Sequence, residues 1–161
     1  MTTDRIEKQI LLRAKQSRVW QALTDSKQFG SWFGVKFEGP FVVGAKVRGV
    51  LVPSSVEPKS ANSKGNDGKS WEWFIDRIEP ERIFSLRWHP FAFDAGIDYS
   101  KEPMTTVTFT LAEKDGGVLL TVTESGFDSL PLSRRAEAFK AHEGGWAIQL
   151  ERVEKFLAHA S

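Results

Sequence analysis

Two side chains in the C-terminal half of the chain could carry out acid–base chemistry together. Glu124 ends the stretch "LLTVTE", in which Leu120 and Val122 alternate with threonines as in a strand with one buried face. The alternation places Glu124 on that apolar face, where a carboxylate is costly unless it is hydrogen-bonded or paired. His142 lies in a later helical segment, and a histidine oriented by a carboxylate can exchange protons near neutral pH. The alternative interpretation is a glutamate at a strand end and a surface histidine on a helix.

The helical segment that contains His142 carries further groups that could line a binding site. Gly144 and Gly145 are unusual there, since each glycine inside a helix costs about 1 kcal/mol relative to alanine. Gly145 either leaves room for a ligand or permits close contact between the helix and a sheet. Gln149, two turns after His142, either holds a ligand through its amide or satisfies a buried backbone group.

The aromatic content favours a large interior. The chain has six tryptophans and twelve phenylalanines among its 161 residues, and this ring volume is hard to pack tightly between one sheet and one helix. We therefore predict a cavity for a hydrophobic or flat aromatic ligand, with Glu124 and His142 as polar anchors near one end. The predicted ligand-binding residues are Trp73, Leu86, Trp88, Phe109, Leu120, Glu124, His142, Trp146 and Leu150.

The composition argues against several classes of protein. A net charge of +1 and the absence of a basic stripe do not fit a nucleic-acid-binding domain. The chain has no cysteine and three scattered histidines, so neither a metal site nor any other cofactor is predicted. No segment approaches the roughly 20 apolar residues of a membrane span, and the N-terminus lacks the apolar stretch of a signal peptide. We expect a cytoplasmic location.

Hydrophobic periodicity and turn residues predict the elements that must position these side chains. In chain order they are a strand over 5–13, short helices over 17–24 and 26–32 capped by Ser17 and Asp25, two strands within 35–53, a polar loop over 54–70, two hairpins with turns at 79–82 and 113–116, a loop over 91–103, and one long amphipathic helix from 133 to about 159.

The assumed turns also set the strand register. The first hairpin places Trp73 opposite Trp88, on the apolar face. The second places Glu124 opposite Thr105, one step beyond the last apolar pair. Glu124 is therefore expected at the rim of the cavity, neither deep in the core nor free in solvent.

An antiparallel sheet with one apolar face needs a cover, and only the C-terminal helix is long enough to supply it. The predicted fold class is α+β. A curved antiparallel sheet of about six to seven strands wraps around a long C-terminal α-helix, with two short helices after the first strand. Residues 1–161 are expected to form a single domain.

Four segments carry a family resemblance, namely "RVWQALTDSKQFGSWFG", "IDRIEPERIFSLRW", "LLTVTESGF" and "EGGWAIQLERVEKFL". The chain resembles, over nearly its whole length, the activator of heat-shock protein 90 ATPase homologues within the START-like (SRPBCC) superfamily. The resemblance implies a helix-grip fold with a cavity between the sheet and the long helix. The superfamily includes lipid carriers, ligand receptors, polyketide cyclases and co-chaperone domains, so the fold alone does not fix the function.

Three functions stay open. The favoured one is an intracellular domain that binds a hydrophobic or aromatic small molecule. The second is a chaperone cofactor or other protein-interaction module, active in the stress response. The third is a cyclase-like or dehydratase-like enzyme that uses Glu124 and His142, although no residue is assigned as catalytic. The expected partners are a small molecule and, in the second case, a chaperone, with the chain as a monomer or homodimer.

Overall fold

The computed structural model describes residues 5–56, 69–89 and 103–159. Most of the two predicted loops, 57–68 and 91–102, lies outside these ranges. The elements in chain order are β1 (Arg5–Leu12), α1 (Gln16–Thr24), α2 (Ser26–Phe33), β2 (Val35–Phe37), β3 (Lys46–Leu51), β4 (Ser70–Glu79), β5 (Ile83–Trp88), β6 (Thr105–Lys114), β7 (Gly117–Ser125), a 3₁₀ turn (Phe127–Ser129) and α3 (Leu132–His159).

The described strands form one antiparallel sheet in the order β1-β7-β6-β5-β4-β3-β2. The 28-residue helix α3 packs with β1, α1 and α2. This arrangement confirms the predicted α+β helix-grip fold. It brings the C-terminal helix, the two short helices and the apolar face of the sheet around one interior.

Alternation along β6 shows how the sheet gains an apolar face. Val107, Phe109 and Leu111 are buried, whereas the residues between them are partly exposed. Each such side chain contributes about 1.5–3 kcal/mol through burial. Leu120 and Val122 on β7 are fully buried on the same side, so the ladder of apolar pairs follows the sequence pattern.

The junction of the short helices follows capping chemistry. Asp25 accepts hydrogen bonds from the backbone N–H groups of Lys27 (2.9 Å) and Gln28 (3.4 Å), which confirms it as the cap of α2. The prediction of Ser17 as a cap is wrong, since α1 begins at Gln16 and its N-cap position makes no side-chain hydrogen bond. Gly34 ends α2 with a φ of 98°, a left-handed conformation that favours glycine.

In the β4–β5 hairpin two deviations from the predicted register cancel. Glu79 pairs with Ile83, so the loop between them has three residues, not four. A bulge between Ile75 and Arg77 then restores the pairing of Ile75 with Leu86. The predicted neighbours Trp73 and Trp88 do meet, with ring centroids 4.6 Å apart.

The β6–β7 register differs from the prediction by two residues. Lys114 pairs with Gly117, so the turn consists of Asp115 and Gly116 alone. Both have positive φ, 50° and 77°, as in the tight turns that match the twist of a hairpin. A shift of two preserves which face each side chain occupies, but it moves Glu124 opposite Val107 instead of Thr105.

Candidate functional site

Glu124 lies inside the sheet and not at its rim. It is paired with Val107 on β6 and with Ile6 on the edge strand β1. Its side chain is 0% exposed. The expectation of a rim position is therefore wrong, because the tighter turn moves Glu124 from opposite Thr105 to opposite Val107 and β1 pairs on its other side.

Four hydrogen-bond donors surround the carboxylate of Glu124. Oε1 accepts from Nδ1 of His142 at 2.6 Å and from the indole N–H of Trp146 at 2.8 Å. Oε2 accepts from the indole N–H of Trp88 at 2.8 Å and from the hydroxyl of Thr105 at 2.5 Å. We call these five residues the acid cluster. It ties β5, β6, β7 and α3 together at one point.

These donors decide the ionisation of Glu124. An indole N–H can only donate, so each carboxylate oxygen has one neighbour that requires an acceptor. Burial by itself would raise the pKa of Glu124. The charge of His142 and the hydrogen bonds from His142, Thr105 and Trp88 outweigh burial and hold that pKa below its ordinary value of 4.5. Glu124 is therefore an ionised carboxylate at neutral pH.

His142 is the member of the acid cluster that solvent reaches. Its side chain is 16% exposed, and its ring lies against Trp88 and Phe127 with centroids 5.5 and 6.0 Å away. An ionised carboxylate only accepts, so Nδ1 of His142 carries the donated hydrogen. When the ring is neutral, its lone pair lies on Nε2, for which the described residues supply no hydrogen-bond partner.

The predicted aromatic wall comes together behind the acid cluster. Trp88 stacks on Trp146 at 5.8 Å, and Phe109 meets Trp146 edge-on at 5.7 Å. Trp73 meets Trp88 at 4.6 Å. All these rings are buried between the sheet and α3, and so are the remaining predicted wall residues, Leu86, Leu120 and Leu150. Their role in ligand binding stays a prediction.

Sequence reasoning missed three members of this region. Phe29 and Phe33 of α2 enter the same interior, where Phe33 lies 5.3 Å from Trp73 and 6.1 Å from Trp146. Their spacing of four residues already indicated one buried helix face. Thr105 was missed as a donor to Glu124, although its alternation with Val107 placed it on the apolar face.

The two glycines of α3 have open space around them. A Cβ added at Gly144 or Gly145 would meet nothing within 4 Å. The interpretation that Gly145 permits close contact with the sheet is therefore wrong. Gly145 follows His142 by three residues and so lies on the same side of the helix, where its missing side chain leaves room beside the histidine.

A second buried polar group lies further along α3. Nη1 of Arg152 donates to the backbone carbonyl of Phe33 at 3.0 Å and to Oε1 of Gln149 at 3.3 Å. Nε2 of Gln149 donates to the same Phe33 carbonyl at 3.3 Å. We call Phe33, Gln149 and Arg152 the cap cluster. It confirms that Gln149 satisfies a buried backbone group, and it adds Arg152, which sequence reasoning missed.

Within residues 5–56, 69–89 and 103–159 no group of three or more His, Asp or Glu side chains could hold a metal ion. In the same ranges no helix has the length and apolar character needed to cross a membrane.

Comparison with known proteins identifies the family. The sequence profile described as "Activator of Hsp90 ATPase homolog 1-like protein" matches residues 13–158. The chain belongs to this family. The match confirms the resemblance seen in the sequence. The acid cluster is therefore a feature of a member of the Activator of Hsp90 ATPase homolog 1-like family. No curated protein is a significant match to the chain.

Solved structures share the fold of this family member. DynU16, a putative protein in the dynemicin biosynthetic locus, is 23% identical with a TM-score of 0.68; the match covers 98% of this chain and 48% of DynU16, so this chain spans about half of it. MLL2253 from Mesorhizobium loti is 20% identical, with a TM-score of 0.71 and 98% of each chain covered. The Aha1 dimer from Colwellia psychrerythraea is 18% identical, with a TM-score of 0.67 and coverage of 98% and 96%.

Proposed function

We propose that this domain binds a hydrophobic or aromatic small molecule between the sheet and α3, at the end where the acid cluster lies. One observation carries the proposal. The buried carboxylate of Glu124 fixes His142 through Nδ1, which leaves Nε2 as a polar atom on a residue one turn before Gly145, and a Cβ added at Gly145 would meet open space. A concave, mostly apolar site with a few fixed polar groups is typical of small-molecule sites.

The proposed site has an outer and an inner part. The outer part is formed by His142, Gly145 and the edge of the Trp88–Trp146 stack. The inner part is the predicted wall of Trp73, Leu86, Phe109, Leu120 and Leu150, whose side chains are buried in the same hydrophobic core. A ligand makes its first contact at the outer part, and a larger one must move the stacked rings to enter further.

The comparisons are compatible with this function. DynU16 is described as a putative protein in the dynemicin biosynthetic locus. Family membership itself leaves the ligand open, because one fold supports many binding functions.

Calorimetric titration with naphthol and with dodecanoate tests the proposal. Wild-type protein should bind at least one of the two saturably. Gly145→Leu should weaken that binding about tenfold or more. The leucine side chain would occupy the space at Gly145 and displace ligand contacts worth about 1.4 kcal/mol or more.

Gly144→Leu is the matched control for this experiment. It adds the same side chain at the neighbouring position, which is exposed and also has open space around it, and should leave binding unchanged. Absence of saturable binding of either probe to the wild type would refute the proposal. Equal effects of the two variants would show that the site does not include Gly145.

Family membership favours a second candidate function, that of a cofactor for a heat-shock protein 90 chaperone. Such a cofactor would act through its surface, so the Gly145→Leu change would not affect it. A pull-down with the chaperone and an assay of the chaperone's ATPase rate test this function. If the chain neither binds the chaperone nor changes its ATPase rate, this second function is refuted. The Aha1 dimer among the structural neighbours makes sedimentation of the free chain a useful companion measurement.

A further inference from the structure

We propose that the acid cluster takes up weakly acidic aromatic hydroxyl compounds, and that Nε2 of His142 accepts the proton of the bound hydroxyl. This inference rests on the proposed function and names the class of ligand for the same site. His142 is the proton acceptor, and Glu124 is a positioning residue that acts through it.

The hydrogen-bond pattern fixes the tautomer of His142. Oε1 of Glu124 already accepts from the indole of Trp146, and Oε2 accepts from Trp88 and Thr105. A carboxylate held by these donors has no proton to give, so Nδ1 of His142 must donate across the 2.6 Å contact. Whenever the ring is neutral, it therefore presents a basic Nε2, the arrangement in which a carboxylate-held histidine works as a proton acceptor.

Glu124 also stabilises the product of the proton transfer. When Nε2 takes up a proton, the ring becomes an imidazolium whose Nδ1–H points at an ionised carboxylate 2.6 Å away. Charge-assisted hydrogen bonds of this kind are about twice as strong as neutral ones. Because Glu124 is 0% exposed, water screens this interaction little.

The proton transfer balances without a further reactant. The O–H bond of the ligand breaks, its electron pair stays on the ligand oxygen, and a new N–H bond forms at Nε2 of His142. Glu124 remains a carboxylate throughout. The ligand becomes an oxyanion beside an imidazolium, so the total charge of the complex is the same before and after the transfer.

Charge and shape select an aromatic hydroxyl over other ligands. A neutral hydroxyl compound brings no charge into the site, whereas a carboxylate ligand would place a second negative charge near Glu124, which is costly. The rings of Trp88 and Phe127 flank His142, and Phe139, one turn earlier on α3, is partly buried. A flat ring fits these neighbours, and an aromatic hydroxyl loses its proton more readily than an aliphatic one.

Absorption spectroscopy with para-nitrophenol tests the inference, since its anion absorbs at a longer wavelength than its neutral form. At a pH where the free compound is mostly neutral, the wild-type complex should show the anion band. His142→Asn is the decisive variant, because its amide N–H can replace Nδ1 as the donor to Glu124 but offers no basic nitrogen at the position of Nε2. It should abolish the band and weaken binding about tenfold or more, as expected for a lost hydrogen bond to a charged group.

The methyl ether para-nitroanisole is the matched ligand, since it has the ring but no hydroxyl proton. It should bind wild type and His142→Asn equally. If para-nitrophenol binds to the wild type only in its neutral form, or keeps its anion band in His142→Asn, the inference is wrong while the proposed function stands. If para-nitrophenol fails to bind, the inference is also wrong. The proposed function falls as well only if naphthol and dodecanoate fail with it.

A measurement on wild-type protein covers the case in which His142→Asn does not fold. At the pH of the absorption experiment, nitrogen-15 spectra of the histidine rings should show Nε2 of His142 without a proton in the free protein, and with a proton once para-nitrophenol is bound. Protonation at Nε2 that does not change on binding would overturn the inference.

Discussion

The acid cluster and the cap cluster are two buried polar groups that both include residues of α3. They differ in the elements they join and in whether they can change their protonation state. Both place a charged side chain of almost no exposure in the interior, Glu124 at 0% and Arg152 at 3%. The acid cluster joins three strands to α3 and includes a histidine that solvent reaches. The cap cluster joins two helices and contains an arginine, which stays charged at any ordinary pH. Only the acid cluster can therefore change its protonation state.

The cap cluster has a structural explanation that needs no ligand. The C-terminal end of a helix carries a partial negative charge and unsatisfied carbonyl groups. Phe33 is the last residue of α2, and its carbonyl accepts from both Arg152 and Gln149. A cation at that end stabilises α2 and fixes it against α3. The comparison teaches that burial of a charge alone does not mark a functional site, whereas burial beside an accessible titratable group is a reason to propose one.

The largest expected effect comes from Glu124→Gln. The amide group would turn one acceptor oxygen into a donor that faces two other donors, so the free energy of unfolding should fall by about 3 kcal/mol, as for a broken buried ion pair. Urea denaturation measures this loss. Glu113→Gln, at an exposed position on β6, is the control and should change stability by less than about 0.5 kcal/mol. If the free energy of unfolding fell no more for Glu124→Gln than for the control, the acid cluster would not have the larger stabilising role given to it over the cap cluster.

The pH dependence of that loss sharpens the comparison. The pKa of Glu124 is lowered in the folded protein, so its carboxylate stabilises the fold fully above about pH 4.5, the ordinary value. That contribution disappears as the pH falls through the lower, folded-state pKa. The stability difference between wild type and Glu124→Gln should therefore shrink on acidification below pH 4.5. A difference that grows as the pH falls would contradict the lowered pKa.

For the cap cluster we expect a smaller effect without such a pH dependence. Arg152→Met should lower the free energy of unfolding by about 2 kcal/mol, the value of a lost hydrogen bond from a charged group, because Gln149 still satisfies the Phe33 carbonyl. The same urea titrations measure it, with the exposed Lys140→Met on α3 as control. A larger loss than for Glu124→Gln would reverse the ranking of the two clusters.

The smallest effects are expected at the glycine pair of α3, which lies between His142 and Trp146. Gly144→Ala and Gly145→Ala should each raise the free energy of unfolding by about 1 kcal/mol, because alanine favours the helix and its Cβ has open space at both positions. Thermal unfolding detects this gain. A loss of stability at Gly145 would reveal a contact that competes with the proposed ligand space.

The general architecture could be predicted from the sequence because it depends on local patterns. Alternation along β6 and β7 and the apolar stripe of α3 identified the correct faces. The register of β6 on β7 was wrong only because a four-residue turn was assumed. The dipeptide Asp115–Gly116 is itself a strong signal for a two-residue turn, so this error was avoidable.

The polar clusters depended on contacts that no local pattern records. The hydrogen bond of Arg152 with Phe33 joins residues 119 positions apart and exists only because α2 ends against α3. The indole donors to Glu124 were equally hidden, because a tryptophan on an apolar face indicates burial but not the direction of its N–H group. Sequence reasoning offered the pairing of Glu124 with His142 as one of two alternatives, and it could not reveal that two tryptophans and a threonine also donate to Glu124.

The indole groups that bind Glu124 make the acid cluster an optical reporter of its own state. Emission from an indole shifts with the charge next to its N–H group, and Trp88 and Trp146 both donate directly to this carboxylate. The N–H group of Trp32 donates instead to the backbone carbonyl of Ala22, so its emission should not respond to the charge of Glu124. Fluorescence of the unlabelled chain can therefore follow the charge of a single buried side chain through the two tryptophans that donate to it.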